Sequence, residues 1–157
     1  MWQRFTEGAH KSMFCAQEEA AKLCQSEVST EHLLLGLLRQ TSGVAGRILL
    51  GMGMDLVGIR TEIMAQASRN EGRLGRDLRL ARHAKRAIRL AHDEARRLNN
   101  NYLGTEHLLL GLIAESDGLA GRVLRQSGAS LEKARREFVR LQESSSAQHR
   151  DTQEDTH

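Results

Sequence analysis

The sequence predicts an all-α fold of eight helices, built as two four-helix repeats. Three observations predict it. The string Thr30-Glu31-His32-Leu33-Leu34-Leu35-Gly36-Leu37 returns as Thr105-Glu106-His107-Leu108-Leu109-Leu110-Gly111-Leu112, an offset of 75 residues. At that offset residues 5–63 align without a gap to 80–138, and 22 of the 59 pairs are identical, too many for shared helical composition to explain. Proline is absent and aromatics make up 3% of the 157 residues, which suits a helical protein. Each ~70-residue half is too small to be comfortable alone, so the two are expected to share one core.

The first helix is expected over 6–23, where Ala9, Met13, Ala16, Ala20 and Leu23 recur at steps of three and four. Thr6 is its N-cap, and Glu7 sits where the helix dipole favours negative charge. After a short connection, Thr30 is read as the cap of a second helix running to about Arg39. That helix is apolar on nearly all sides and so belongs at the centre of a bundle, with Gly36 admitting a close neighbour. Val44 to Leu50 forms a short third helix, and Asp55 caps a fourth that ends near Ser68. Residues 69–79 hold two glycines and no apolar period, which marks a linker. Repeat one is therefore 5–68 and repeat two 80–143. The second copy places helices at 81–98, 105–115, 119–127 and 130–143. Residues 144–157 are polar without apolar anchors and are expected to be a disordered tail.

Composition narrows the function. A net charge of +3 and a pI near 9.2 suit an anionic partner, yet are too weak to argue for nucleic acid alone. The run Arg69 to Arg97 holds ten Lys/Arg against four Asp/Glu, but no aromatics interleave for base stacking, so nucleic acid is not an expected partner. Cys15 and Cys24 have neither zinc-ribbon nor redox spacing and read as free thiols of a reducing compartment. No apolar run is long enough for a membrane span and no signal peptide opens the chain, so a cytoplasmic protein is expected. P-loop, nucleophile-elbow and His-Glu-x-x-His motifs are absent, so neither an enzyme nor a cofactor is expected.

Of the polar residues kept in both copies, His32 and His107 could be imagined as metal ligands with Cys24 and Glu31. Local packing and hydrogen bonding is the stronger reading, since Asn99 stands where the first copy has Cys24. Glu31 and Glu106 lie in the first turn of their helices. The helix dipole alone would justify them, at ~0.3–1 kcal/mol each. The functional alternative is that each carboxylate receives a guanidinium, while nearby helix-start N–H groups hold an anion.

The doubled Thr-Glu-His-Leu-Leu-Leu-Gly-Leu, the opening Arg4-Phe5-Thr6-Glu7, the Ala16-Gln17-Glu18-Glu19-Ala20 segment and the Gly-x-Ala-x-Arg-x-Leu of each third helix together resemble the Clp N-terminal domain. The resemblance is strongest to ClpC-type Hsp100 (AAA+) unfoldases and covers residues 1 to about 143. It implies two four-helix repeats related by a pseudo-twofold axis. It also implies a non-enzymatic module that recruits phosphoarginine-marked or unfolded client proteins, and adaptor proteins, to an unfoldase–protease. By position, Glu31 and Glu106 would accept guanidinium, and Thr6 would stand on the phosphate side of the first site. Where the family's second repeat has an aromatic followed by Thr-Pro-Arg-Ala-Lys, this chain reads Leu80-Ala81-Arg82-His83-Ala84-Lys85. Ala81 therefore leaves only backbone groups for a second phosphate, and Glu31 is expected to matter more than Glu106. Leu80, and Trp2 in place of the usual Phe, alter a surface on which the resemblance places cyclic-peptide antibiotics. With no AAA+ module in the sequence, an excised domain and a free-standing protein are both open, and the degenerate second repeat and short polar tail lean the reading toward the free-standing form. The alternative function is a regulator or scaffold that docks on the Clp unfoldase, or competes for its clients, without a small ligand of its own.

Overall fold

In the computed structural model, which describes residues 4–40, 43–67 and 79–154, two helices form the spine. These are α2 (Thr30–Leu38) and α6 (Thr105–Ala114), the two copies of the repeated string. Leu34, Leu35, Leu109 and Leu110 are fully buried, as a helix that is apolar all round requires. Each spine helix packs closely on the long first helix of its own repeat, α1 (Glu7–Lys22) on α2 and α5 (Arg82–Arg97) on α6. The inward faces of α1 and α5 are mostly alanine, and the glycines complete the fit. A Cβ at Gly36 would meet Ser12 O and lie 2.9 Å from Ala16 N, and one at Gly111 would meet Ala87 O and lie 2.9 Å from Ala91 N. The outer helices are α3 (Val44–Gly51), α4 (Leu56–Gln66), α7 (Leu119–Gln126) and α8 (Leu131–Glu154). The all-α, two-repeat architecture is as expected.

Caps set most of the boundaries. Thr6 Oγ1 accepts from Ala9 N at 3.1 Å, Asp55 Oδ1 from Val57 N at 3.2 Å, and Ser130 Oγ from Lys133 N at 3.1 Å. At the other end, α1 closes through Cys24 N to Ala21 O and Gln25 N to Ala20 O, and α5 through Asn99 N to Arg96 O and Asn100 N to Ala95 O. This places Cys24 and Asn99 in the left-handed region, at φ 55° and 58°.

Three features depart from the sequence reading. Thr30 does not cap α2. Ser29 holds the N-cap position, and the Thr30 hydroxyl accepts from Ala120 N of α7, 3.3 Å away in the other repeat. Thr105 does the same for Ala45 N of α3, at 3.4 Å. Second, α8 runs on to Glu154 where a disordered tail was expected. The segment after Glu143 has no Pro or Gly to stop a helix. Third, two short strands appear. β1 (Glu27–Val28) pairs in parallel with β2 (Arg79–Leu80), and Phe5 bridges Leu103 in the same way. Apart from Arg79, the expected linker 69–79 lies outside the described residues, as do Trp2 and His157.

Both pairings join the repeats. The strand before α2 binds the strand before α5, and the segment before α6 binds the segment before α1. Each repeat thus lends the other its entry strand, and the Thr30 and Thr105 caps cross in the same sense. Among the described residues no helix is long and apolar enough to cross a membrane.

Candidate functional site

The crossed strands decide which residues meet at the starts of the helices. Thr6 N donates to Leu103 O at 3.0 Å, and Leu103 N to Arg4 O at 2.8 Å. Thr6 therefore stands beside the start of α6, on the side of Glu106. Ala81 N donates to Val28 O at 2.9 Å, which sets the start of α5 beside Glu31. The expected grouping of Thr6 with Glu31 is not what the chain forms, because the entry strands exchange between repeats. Two-residue strands carry no sequence pattern that could have revealed the exchange.

The two carboxylates have different surroundings. Glu106 is 4% exposed. Burial lifts its carboxyl above the ordinary range, against the pull of its backbone N–H and of the Tyr102 hydroxyl that bonds it. The side chain folds back over Gly104, where a Cβ would lie 2.8 Å from Glu106 Oε2. The matching residue in repeat one is Ser29, whose Cβ occupies that space. Glu31 cannot fold back in this way and stays half-buried. It lines a groove of about 350 Å³ with His83 of α5, Arg122 of α7, and Asp117.

The groove is bipolar. Glu31 and Asp117 supply negative charge, and Arg122 supplies a fixed positive charge. His83 Nδ1 lies 3.5 Å from the buried carboxylate of Glu115, and Asp117 lies 3.7 Å from Arg86. Glu115 Oε1 accepts from Asp117 N at 2.8 Å and from Gly118 N at 3.1 Å, and Thr30 takes Ala120 N, so the amides at the start of α7 are largely engaged. The start of α5 is the reverse case. Ala81 has no hydroxyl and no side-chain cap forms, so the first-turn amides are left for another acceptor. At α1 Thr6 fills that role itself. With no hydroxyl at 81, the first-turn amides of α5 stand uncapped beside the segment that leads to Glu31.

The paired histidines are structural. Ser29 N donates to His32 Nδ1 at 2.9 Å and Gly104 N to His107 Nδ1 at 3.0 Å, so each ring, on the third residue of its helix, satisfies the N-cap N–H. With Nδ1 accepting, the proton is on Nε2. His107 Nε2 meets Asn100 Oδ1 at 2.9 Å, while His32 Nε2 is buried without a partner. Among the described residues no group of His, Cys, Asp and Glu could hold a metal ion. Sequence reasoning did not find His83 or Tyr102. Arg122 is kept in both copies, as Arg47 in the first, and it lines the groove.

Comparison with known proteins agrees with this architecture. The family model described as "Clp repeat (R) N-terminal domain" matches twice, over residues 4–91 and 79–156. The chain is 43% identical over 141 residues to the negative regulator of genetic competence ClpC/MecB of Bacillus subtilis, covering 90% of this chain and 17% of that protein. It is 41% identical to the chloroplastic chaperone ClpC of Pisum sativum, again over 90% of this chain and 15% of that protein. The chain therefore spans under a fifth of the length of these relatives. Among solved structures, the N-terminal domain of ClpD from Arabidopsis thaliana superposes with a TM-score of 0.70 at 28% identity, covering 90% of this chain and 97% of that one. The N-domain of ClpV from Vibrio cholerae reaches 0.77 at 17% identity, over 88% and 85% of the two chains, which speaks to the fold alone.

Proposed function

Since the chain belongs to the Clp repeat (R) N-terminal domain family, we propose that it recognises phosphoarginine-marked or unfolded client proteins, and adaptors, for a Clp chaperone–protease, and catalyses nothing itself. One observation carries the ligand part: a half-buried carboxylate, Glu31, shares a small groove with Arg122 and His83. A phosphoarginine side chain is planar and cationic at one end and anionic at the other. Glu31 is the guanidinium acceptor, suited to a bidentate pair. Arg122 and the uncapped first turn of α5, entered through Ala81, take the phosphate. Glu106, with Thr6 nearby, forms the second and weaker position, because its carboxylate already bonds Tyr102 and lies buried.

Calorimetry with free phosphoarginine tests this. Glu31→Ala is expected to weaken binding by about tenfold or more, corresponding to at least ~1.4 kcal/mol. Glu106→Ala is expected to change it by less than about threefold. No heat of binding, or binding indifferent to Glu31→Ala, would sink the ligand assignment. If phosphoarginine fails while a ClpC hexamer still retains the chain, the regulator or scaffold reading takes its place. Cyclic-peptide antibiotics remain a proposed partner class, with Leu80 in a separate groove of about 720 Å³ beside α5.

A further inference from the structure

The Glu31 groove contains one side chain of the type that changes charge near neutral pH, His83 of α5. Its Nδ1 lies 3.5 Å from Oε1 of Glu115, which ends α6 and is 1% exposed. Glu115 Oε1 already accepts from Asp117 N and Gly118 N, so the backbone anchors the carboxylate. Its Oε2 is buried without a hydrogen-bond partner, with Arg86 Nε 3.3 Å away. Arg86 divides itself between Glu115 and Asp117, 3.7 Å from the latter.

The charged groups around His83 come from four places. α5 itself brings Arg86, one turn on, and the connection from α6 to α7 brings Glu115 and Asp117. α2 brings Glu31 and α7 brings Arg122, while α4 contributes Gln66, which does not titrate. Three carboxylates thus face two arginines while the imidazole is neutral, and its protonation brings the two signs level.

The duplication supplies an internal comparison. His83 and Glu115 are matched in the first repeat by Gly8 and Gln40, and Asp117 by Ser42. The first two positions are neighbours there as well, since a Cβ at Gly8 would lie 3.6 Å from the Gln40 side chain. The scaffold therefore packs this corner without charge. A buried carboxylate is costly to desolvate, yet the copy beside Glu31 keeps one and sets a histidine against it.

We propose, on the phosphoarginine reading of the groove, that His83 sets its affinity by pH: the protonated ring pairs with Glu115 and presents positive charge to the phosphate of a phosphorylated guanidinium. Glu115 is a positioning residue, which holds the ring at the groove wall and gives the imidazolium a counter-charge. The neutral ring offers the anion no charge, so binding tightens as pH falls through neutrality. By reciprocity, a ligand that prefers the protonated ring takes up a proton as it binds.

Calorimetry with free phosphoarginine at pH 8 and pH 6 tests the proposal. The readout is the ratio of wild-type to His83→Gln affinity, which cancels the titration of the ligand's own phosphate. That ratio is expected to rise by about three- to tenfold from pH 8 to pH 6. His83→Lys stays charged throughout and should bind at pH 8 about as tightly as the wild type does at pH 6. At pH 7, heats measured in buffers of different ionisation enthalpy should show proton uptake by the wild type and less by His83→Gln. A merely structural role for His83 would move neither the ratio nor the proton uptake. Glu115→Gln keeps an acceptor for the two amides and should show a smaller pH response. A full response in that variant would overturn the positioning role. His83 is partly exposed, and far-UV circular dichroism checks that its variants fold. Phosphoarginine that binds at neither pH would overturn the groove reading and this proposal with it. Binding with a ratio that stays constant, and equal proton uptake in both chains, would overturn the role of His83 alone.

Discussion

His107 shows how one buried residue imprints a pH dependence on the fold. Burial is the largest cause lowering its pKa from 6.5 to about 4, and Glu94 opposes the shift. Above about pH 6.5 the ring is neutral in both folded and unfolded chains and contributes no pH dependence. As pH falls from 6.5 towards 4, the unfolded chain takes up the proton and the native one does not, so stability is lost. Between about pH 7 and 5 this amounts to about 2 kcal/mol. His32, also lowered chiefly by burial, adds in the same direction. Glu106, raised by burial, works the other way, since the native chain protonates first. His107→Gln keeps a side chain able to reach the Gly104 N–H and removes the titration. Urea unfolding at the two pH values should show a smaller acid loss in the variant. An unchanged loss would assign it to other groups. Cys24 offers a second measurement at this scale. It holds φ 55°, where its counterpart Asn99 holds 58°. Asn tolerates the left-handed region better than Cys, so Cys24→Asn should stabilise by about 0.5–1 kcal/mol in a thermal melt. The histidines were legible in the sequence as local hydrogen-bonding residues. Glu31 was ranked above Glu106 there on the missing hydroxyl at 81, whereas the difference in burial between the two carboxylates goes with Ser29 against Gly104, two residues earlier.

At the scale of elements, each long helix buries one carboxylate, Glu19 on α1 and Glu94 on α5, and the arginines kept at 60 and 135 answer them. Arg135 makes a two-point pair with Glu94, Nε to Oε2 at 3.0 Å and a terminal nitrogen to Oε1. Glu19 is shared more loosely by Arg60 at 3.7 Å and by Arg39 and Lys22 at 3.9 Å. Arg135→Met strands the Glu94 carboxylate and should cost about 3 kcal/mol in chemical denaturation. Arg60→Met leaves Glu19 two cations and should cost about 1 kcal/mol. Equal costs would show that the loose cluster and the tight pair hold their helices alike. The helices themselves were legible, because apolar period and caps are local signals that agreed along the chain. The Thr30 cap was misread for the same reason. A threonine before a helix looks like the cap of that helix, and nothing local says that its hydroxyl reaches the other repeat.

For the whole molecule, the exchanged entry strands and exchanged threonine caps mean that the repeats complete each other. Residues 4–67 and 79–144, made as separate polypeptides, should each lack cooperative folding, while an equimolar mixture should regain helical circular dichroism. A half that unfolds cooperatively by itself would contradict this. The duplication predicted a shared core, but the crossing was beyond the sequence, since it rests on Phe5, Val28, Leu80 and Leu103 meeting across the pseudo-axis.

The exchange also bears on ancestry. The Glu31 groove takes Glu31 from one repeat and His83, Asp117 and Arg122 from the other. A single ancestral repeat could have owned such a groove only as a symmetric homodimer, with two identical grooves at the subunit boundary. Fusion into one gene released the grooves from that identity. Within one chain the two halves are free to differ, as Ser29 does from Gly104 and Thr6 from Ala81.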